Sequence, residues 1–296
     1  NFFDAHTNQT IPAVQEWHDN GQLAVQKYHI NGELNNFFDA HTNQTIPAVQ
    51  EWHKNGQLAV QKYHIDGKRN NFFNTYTNQT IPSFQYRYRT GELYFQEYYT
   101  NDKLNNFFDT NTYHTIPASQ RWYNDRQLSS QHYYTNGKYN NFFDTYTNQT
   151  IPSFQSWHAN GQLTYQGYCI NDERNNFTDT NTNQIIPATQ KWHGNGQLIY
   201  QGYYTDDELN NFFDTYTNQT IPAIQYWHEN GQLYSQEYYI NGKRNNFFDT
   251  NTNQIIPAIQ EWHENGQLAA QKYHINGEPN NFSDTNTNQI IPAIQY

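Results

Sequence analysis

Two segments of alternating apolar and polar residues, 11–17 and 23–30, flank the pair Asn20-Gly21. An Asn-Gly pair between two alternating runs indicates a β-hairpin, because a type I′ turn needs positive φ at both central residues. This turn would place Gln15 opposite Gln26. It would also place Trp17 opposite Ala24, while a second pair, Asn31-Gly32, closes the other end of the unit.

The same pattern returns every 35 residues, without insertion or deletion. The copies are 1–35, 36–70, 71–105, 106–140, 141–175, 176–210, 211–245, 246–280 and a partial copy at 281–296. A fixed period of this length is typical of a repeat protein. We therefore expect a single repeat array over residues 1–296.

Positions that are constant or nearly constant between copies define the structural columns of this array. In the numbering of the first two copies they are Gln15, Gln26, Trp17, Tyr28, Asn35, Asn36 and Phe37. Alternate residues of a strand share a face, so the buried face is predicted to carry Ile11, Ala13, Gln15, Trp17, Gln26, Tyr28 and Ile30. The opposite face, with Glu16 and Lys27, varies between copies and is predicted to face solvent. Leu23 fits neither face.

The connector from Asn35 to Thr45 has no helical period, and Pro12 and its equivalents stand where a strand begins. We expect an ordered connector with a third short strand and no helix anywhere. The fold class is therefore all-β. Two geometries remain open: a meander of antiparallel hairpins, or a parallel β-solenoid with one coil per copy.

Composition narrows the functional classes. The chain is rich in asparagine, 18% of its residues are aromatic, and its formal net charge is −11. No apolar run approaches the roughly 20 residues of a transmembrane helix. The acidic balance argues against nucleic acid, which needs a basic surface. The single cysteine, Cys169, excludes an internal disulfide, and it stands where other copies have His29 or Tyr99.

Several residues carry candidate chemistry. Histidines such as His18 and His53 recur beside the first turn, where tyrosine replaces them in two copies, so we interpret them as rim residues rather than metal ligands. Three strings resemble the start of a calcium loop, and their candidate ligands are Asp179, Asn181, Asn183, Asp249, Asn251 and Asn253, with Asp284 to Asn288 as the third string. Because all three lack the glycine and the glutamate of such loops, a polar turn is favoured, and no metal or cofactor is predicted.

Sequons stand at Asn8, Asn43, Asn78, Asn148, Asn176, Asn218 and Asn281, which would be glycosylated only in a secretory pathway. No Ser-His-Asp arrangement, phosphate-binding loop or paired-carboxylate cleft is present in the sequence. We therefore predict that the chain is not an enzyme.

The strings WHENGQLAAQKYHINGE (262–278) and YWHENGQLYSQEYYINGK (226–243) resemble the second type of MORN repeat, found in YwqK-like bacterial proteins and related viral and phage repeat proteins. Asp214, Pro222 and Ala223 also resemble the Asp-Gly-Pro-Ala variant, although a TYTNQTI insert separates the aspartate from the proline. The resemblance implies a non-enzymatic scaffold of β-hairpins, in a family whose roles range from membrane and protein scaffolding to a proposed antitoxin activity.

Two functions follow as hypotheses. The first is a rigid structural array that self-associates, end to end or laterally, into an extracellular or surface fibre. The second is a binding scaffold for a protein, a lipid surface or a cell-wall carbohydrate, including a cytoplasmic antitoxin-like role. The atypical third and fourth copies are the candidate binding patch for the second hypothesis, through Arg87, Tyr88, Tyr113, His114 and Arg126.

Overall fold

The computed structural model describes residues 2–4, 9–40, 42–179, 181–215, 217–284 and 289–296. This part of the chain consists of β-strands and turns and contains no helix, so the predicted all-β class is confirmed. The chain divides into two compact units, Asn1–Ile151 and Pro152–Tyr296. One continuous array over residues 1–296 stays a prediction.

Each copy builds its main sheet from a first hairpin, here called the sheet hairpin. In the first unit the sheet strands are Val14–Trp17, Leu23–Lys27, Val49–Trp52, Leu58–Lys62, Phe84–Arg87, Leu93–Glu97, Ser119–Trp122 and Leu128–His132. In the second unit they are Phe154–Trp157, Leu163–Gly167, Thr189–Trp192, Leu198–Gly202, Ile224–Trp227, Leu233–Glu237, Ile259–Trp262, Leu268–Lys272 and Ile294–Gln295. Within each unit, consecutive strands pair antiparallel, as the predicted meander requires. Among the described strands, the parallel alternative is not seen.

The turn of the sheet hairpin differs from the predicted one. Of Asn20 and Gly21, only Gly21 has a positive φ, at 79°. His18 N donates to Gln22 O at 2.8 Å, and Gly21 N donates to His18 O at 2.9 Å. This pattern is a type I turn followed by a left-handed glycine, so the type I′ prediction is wrong at this pair.

The longer turn shifts the register beside it. Gln15 lies opposite Gln26 as expected, but a bulge after Glu16 places Trp17 opposite Leu23. The prediction that Trp17 faces Ala24 is therefore wrong. The bulge also explains Leu23, which fits neither face of an unbulged hairpin. In the bulged hairpin Leu23 is the cross-strand partner of Trp17.

A second, short hairpin follows and turns through the second Asn-Gly pair. Asn31 and Gly32 both have positive φ, at 52° and 86°, which makes this the type I′ turn. The paired strands of the first unit are His29–Ile30 with Glu33–Leu34, His64–Ile65 with Lys68–Arg69, Tyr99–Thr100 with Lys103–Leu104, and Tyr134–Thr135 with Lys138–Tyr139. Those of the second unit are Cys169–Ile170 with Glu173–Arg174, Tyr204–Thr205 with Glu208–Leu209, Tyr239–Ile240 with Lys243–Arg244, and His274–Ile275 with Glu278–Pro279.

The connector is a third hairpin, here called the connector hairpin, rather than a single short strand. In the first unit its strands are Phe2–Asp4 with Gln9–Ile11, Phe37–Asp39 with Gln44–Ile46, Phe72–Asn74 with Gln79–Ile81, Phe107–Asp109 with His114–Ile116, and Phe142–Asp144 with Gln149–Ile151. In the second they are Phe177–Thr178 with Ile185–Ile186, Phe212–Asp214 with Gln219–Ile221, Phe247–Asp249 with Gln254–Ile256, and Phe282–Asp284 with Gln289–Ile291. The doublet of phenylalanines followed by aspartate begins this hairpin in most copies.

The constant asparagine at the start of a copy bonds the hairpins of that copy together, and the asparagine before it bonds the preceding copy to it. Asn36 Oδ1 accepts hydrogen bonds from Ala48 N at 3.2 Å and from His64 N at 2.9 Å. Asn36 N in turn donates to His64 O at 3.0 Å. Its neighbour Asn35 accepts from Asp66 N at 3.0 Å. One amide thus satisfies two backbone donors in different hairpins, which explains why this position does not vary.

The face predicted to be wet is exposed at Glu16, Arg121 and Lys191 but covered over much of the rest. Val49 and Val60 are 4% and 7% exposed, and Ile224 is 7% exposed. The short hairpins cover this face: Ile224 belongs to a core cluster with Tyr239, and the Tyr99 hydroxyl donates to Glu97 at 2.8 Å. The solvent prediction is wrong for these covered positions, because the sequence pattern assigned the short hairpin to a turn.

The opposite face carries the column of glutamines and is called the glutamine face below; the face of Glu16 and Lys27 is called the variable face. On the glutamine side, Ala48 and Tyr63 are buried, at 0% and 4% exposed. Four residues assigned to the buried face are exposed instead, namely Ile11 at 38%, Ala13, Trp17 at 59% and Ile30 at 47%.

Candidate binding groove

The glutamine face displays one amide from each sheet strand. In the first unit the cross-strand partners run Gln15 to Gln26, Gln26 to Gln50, and onward in the same register. Gln26 Nε2 donates to Gln50 Oε1 at 2.5 Å, and Gln96 donates to Gln120 at 2.8 Å. A primary amide both donates and accepts, so identical residues bond to each other across neighbouring strands. The result is a polar column without charge.

Stacked aromatic pairs stand beside this column. Tyr28 and Phe37 lie 5.4 Å apart between ring centroids and 10° from parallel, and Tyr63 and Phe72 show the same arrangement at 5.4 Å and 5°. The same stacks recur in the second unit, as in Tyr168 with Phe177 at 5.4 Å. Burial raises the pKa of Tyr63 to about 12, so its ring is uncharged at neutral pH. These stacks attach each connector hairpin to its sheet hairpin.

A groove of about 770 Å³ opens between two connector hairpins of the first unit. Gln50 and Gln61 of the glutamine column line it, together with the stacked pair Tyr63 and Phe72. The remaining lining residues are Phe38, Thr42, Asn43, Gln44, Thr45, Ile46, Pro47, Asn74, Thr75, Tyr76, Thr77 and Ile81. None of these described side chains carries a charge. The groove therefore offers rings, amides and hydroxyl groups only.

Two exposed rings contribute to this groove. Phe38 is 55% exposed and Tyr76 is 74% exposed, and the side-chain amide of Asn43 donates to the Tyr76 hydroxyl. The Phe38 position repeats along the array, with similar exposure at Phe73, Phe108, Phe143, Phe213 and Phe248. Since each copy adds two sheet strands, these rings recur about every 10 Å within a unit.

Sequence reasoning named Phe37 as a column residue and missed Phe38. The signal was available, because adjacent residues of a strand point to opposite sides, so a Phe-Phe doublet offers one ring to the core and one to the surface. Tyr76 was missed because its position varies: Asn111 and Tyr146 occupy it in the next two copies.

The calcium candidates lie in the turn of the connector hairpin. Asp179 Oδ1 accepts from Asn181 N at 2.9 Å, and its Oδ2 accepts from Thr182 Oγ1 at 2.8 Å. Both bonds lower the pKa of the Asp179 carboxyl, and the bond from Asn181 has the larger effect. Asn183 has a left-handed φ of 61°. The carboxylate is thus already engaged in closing the turn.

The second candidate string has the same structure. Asp249 accepts from Asn251 N at 2.9 Å and from Thr252 Oγ1 at 2.8 Å, Asn253 is left-handed at 57°, and Asn251 Nδ2 donates to Asn218 O at 2.8 Å. The third string, Asp284 to Asn288, lies mostly outside the described residues. Over the described ranges, no group of three His, Cys, Asp or Glu side chains is placed to hold a metal. That these strings form polar turns and bind no calcium stays a prediction.

The recurring histidines bond neighbouring copies together. His18 Nε2 lies 2.8 Å from Trp52 O, and His53 Nε2 lies 2.9 Å from Arg87 O. In the third copy Tyr88 replaces the histidine, and its hydroxyl donates to Trp122 O at 3.1 Å. Tyrosine at this position therefore makes the same contact with the next copy as histidine does.

The other atypical residues of copies three and four are dispersed. Arg87 donates to Gly91 O at 3.3 Å within its own turn, and Arg126 pairs with Glu92 at 3.3 Å. Tyr113 and His114 lie on a connector hairpin, where His114 contacts Tyr146 edge to face. The structure places these residues at two different turns rather than in one patch.

The sequon asparagines fall into two groups. Asn43, Asn78, Asn148 and Asn218 are exposed and left-handed at connector turns, with φ between 54° and 57°. Asn176 and Asn281 instead use Oδ1 to accept from Ala188 and Tyr204 N, and from Ala293 N, respectively. Asn8 lies outside the described residues.

Cys169 lies on a short hairpin and is 5% exposed. Burial raises the pKa of its thiol above the ordinary value. A buried thiol with a raised pKa is a poor nucleophile, so Cys169 has the character of a core residue.

Among known protein families, residues 224–241 match a family model described as a MORN repeat variant. The repeat is MORN-like. The match covers both strands of a sheet hairpin, Ile224–Trp227 and Leu233–Glu237, and the strand Tyr239–Ile240 of the short hairpin. MORN-like repeats on an all-β repeat fold are typical of non-enzymatic scaffolds. No curated protein matches the chain. The described residues include no helix with the length and apolar character needed to cross a membrane.

Proposed function

We propose that this chain is a non-enzymatic MORN-like scaffold that binds an extended, uncharged polysaccharide along the groove of the glutamine face. The observation that carries the proposal is the lining of the groove, where Phe38 and Tyr76 expose their rings beside amides and hydroxyl groups without a charged side chain. Sugar rings present apolar C–H faces to aromatic side chains and hydroxyl groups to amides.

The regular spacing supports a polymer rather than a single sugar. One exposed phenylalanine recurs in most copies, and the glutamine column is continuous within each unit. A polymer that lies along the groove meets the same contacts repeatedly, which strengthens binding by effective concentration. The uncharged lining and the net charge of −11 disfavour nucleic acid and anionic lipid surfaces.

A cell-wall polysaccharide as ligand is consistent with an extracellular or surface location, which is part of the proposal. In that compartment the exposed sequons at Asn43 and Asn78 would place glycans at the connector turns that border the groove. A cytoplasmic, antitoxin-like scaffold is the alternative, and it rests on the family resemblance alone.

The test is isothermal titration of the full chain with short neutral glucans, followed by the Phe38→Ala and Tyr76→Ala variants. Each variant is expected to weaken binding about five- to tenfold, because it removes one stacking ring. Ile65→Ala is the matched control, since Ile65 is 49% exposed but lies on a short hairpin. Equal weakening by the control, or binding by protein ligands only, would contradict the proposal.

A second candidate function is lateral self-association into a fibre. The row of exposed phenylalanines favours it, because identical rings at a fixed spacing can pack against the same row of another chain. Sedimentation velocity over a wide concentration range tests this candidate. Larger species that disappear in Phe38→Ala/Phe73→Ala support it, and a constant monomer at every concentration contradicts it.

A further inference from the structure

The variable face of the second unit carries a second pocket, next to positions where glycine replaces a larger residue of the repeat. In the second, seventh and eighth copies the Lys27 position supplies an ion pair, as in Lys272 with Glu261 at 2.7 Å. In the fifth and sixth copies this position is Gly167 and Gly202. A Cβ atom on Gly202 would lie only 2.4 Å from Tyr200 Oη, so tyrosine fills the space that a side chain would need.

The space around these residues is a pocket of about 400 Å³. Its lining includes Tyr165, Arg174, Thr189, Lys191, Tyr200 and Tyr226. Unlike the groove of the first unit, it contains two cationic side chains and no described acidic one in its lining.

Only one of the two cations is neutralised. Arg174 Nε lies 2.5 Å from Asp207 Oδ1, and its guanidinium stacks 4.1 Å above the Tyr204 ring. Lys191 Nζ lies 5.4 Å from the Tyr165 ring centroid and 5.7 Å from that of Tyr200. Among the described residues Lys191 has no ion-pair partner. Lys191 is solvent-exposed, and it brings one uncompensated positive charge to the pocket beside two rings.

Neutral hydroxyl groups line the same pocket as this charge. The Tyr200 and Tyr204 hydroxyls lie 3.2 Å apart, and burial raises the pKa of Tyr200, so that hydroxyl keeps its proton. Thr189 is 1% exposed, and its Oγ1, which is close to the Tyr200 hydroxyl, makes no hydrogen bond of good geometry among the described residues. A buried hydroxyl without a well-placed partner is costly unless a ligand or water supplies one.

We infer that this pocket binds a small carboxylate, with Lys191 as its counter-ion and Thr189 and Tyr200 as hydrogen-bond donors. A carboxylate brings one negative charge, which matches the one free cation of the described lining. A phosphate dianion would bring a second charge that the pocket does not balance. Because the chain is acidic overall, such binding is local to this pocket rather than a general attraction of anions.

The test is a titration of the full chain with sodium acetate, in which the NMR signals of Tyr200 and Thr189 report binding. A titration with sodium chloride at the same ionic strength is the control. Saturable binding that Lys191→Gln weakens about tenfold or more is expected, since it removes the charged partner. Lys272→Gln, on the same face but already paired with Glu261, should leave the affinity within about twofold of wild type.

Thr189→Val is the second variant, because valine and isoleucine occupy the equivalent position at Val49 and Ile224 and the fold accepts them. It should weaken acetate binding about threefold or more without loss of thermal stability. Glucuronate and acetylglycinate then show whether a sugar or a peptide presents the carboxylate. No saturation with acetate, tighter binding of inorganic phosphate, or equal loss in Lys272→Gln would overturn the inference.

Discussion

The glutamine face and the variable face use the same strands in opposite ways. On the glutamine face, residues such as Gln50 and Tyr63 bond or stack with neighbouring elements, so a change in one copy would break contacts in another. On the variable face, residues such as Lys191 and Glu97 differ between copies, and so do the contacts that they make, such as those of Lys191 with the Tyr165 and Tyr200 rings. Constant positions thus build the array and much of its uncharged groove, and variable positions give individual copies their own chemistry.

The largest expected effect is at the constant asparagine. Asn71→Ala leaves two backbone donors, Ser83 N and Tyr99 N, without the acceptor that lies 3.1 Å and 2.9 Å away. We expect a loss of about 3 kcal/mol in the free energy of unfolding, measured by urea denaturation. Asn70→Ala, which removes one exposed acceptor from Asn101 N, should cost about 1 kcal/mol or less.

Equal losses of unfolding free energy in Asn71→Ala and Asn70→Ala would contradict this difference between the two asparagines. They would mean that the asparagine at the start of a copy is no more important than the exposed asparagine before it.

On the variable face, His132 should make stability depend on pH. Burial lowers the pKa of His132 to about 4, below the unfolded value of about 6.5. Between these values the unfolded chain binds the proton more readily, so stability falls as the pH drops through this window. We expect His132 to account for a loss of about 2 kcal/mol between about pH 7 and pH 5.

The measurement is urea denaturation of wild type and His132→Gln at both pH values. The variant should lose less stability on acidification than the wild type by about that amount. Identical pH dependence in the two proteins would show that His132 does not contribute to it.

A smaller effect is expected at the one sheet-hairpin turn in the first unit that lacks its glycine. Arg126 is left-handed at φ 70°, where its equivalents are Gly56 at 81° and Gly91 at 89°. Arg126→Gly should stabilise the fold by about 1 kcal/mol, because glycine adopts this φ without strain and the exposed pair with Glu92 contributes little.

Gly161→Arg is the matched reverse change in the second unit. Gly161 has φ 82°, and no described atom of another residue lies within 4 Å of the point that a Cβ atom would occupy, so backbone strain is the main cost of the side chain. Thermal unfolding should show a loss of similar size. A stabilising effect of Gly161→Arg would contradict the assignment of strain to this turn.

Much of the fold follows from the sequence, because the period and the Asn-Gly pairs are local signals. The hairpin around Gly21, the opposition of Gln15 and Gln26, and the absence of helix in the described residues are all predicted correctly. The bulge at Trp17 is not predicted, since an Asn-Gly pair is compatible with two turn types that differ by one residue in register. The burial of Val49 is not predicted either, because it depends on the short hairpin folding over the sheet.

The groove could be predicted only in part. Its Gln50 and Tyr63 belong to constant columns, but Tyr76 lies at a variable position and becomes significant only through its place beside Phe38. The pocket around Lys191 depends on the missing side chain at Gly202, whose effect becomes visible when Tyr200 and Thr189 are placed around it.

The most direct test of the account is a crossed titration of wild type, Phe38→Ala/Tyr76→Ala and Lys191→Gln with a short neutral glucan and with sodium acetate. The account predicts that the first variant loses only glucan binding and the second loses only acetate binding. Loss of both ligands in either variant, or glucan binding that weakens with added salt, would contradict two faces with separate chemistry.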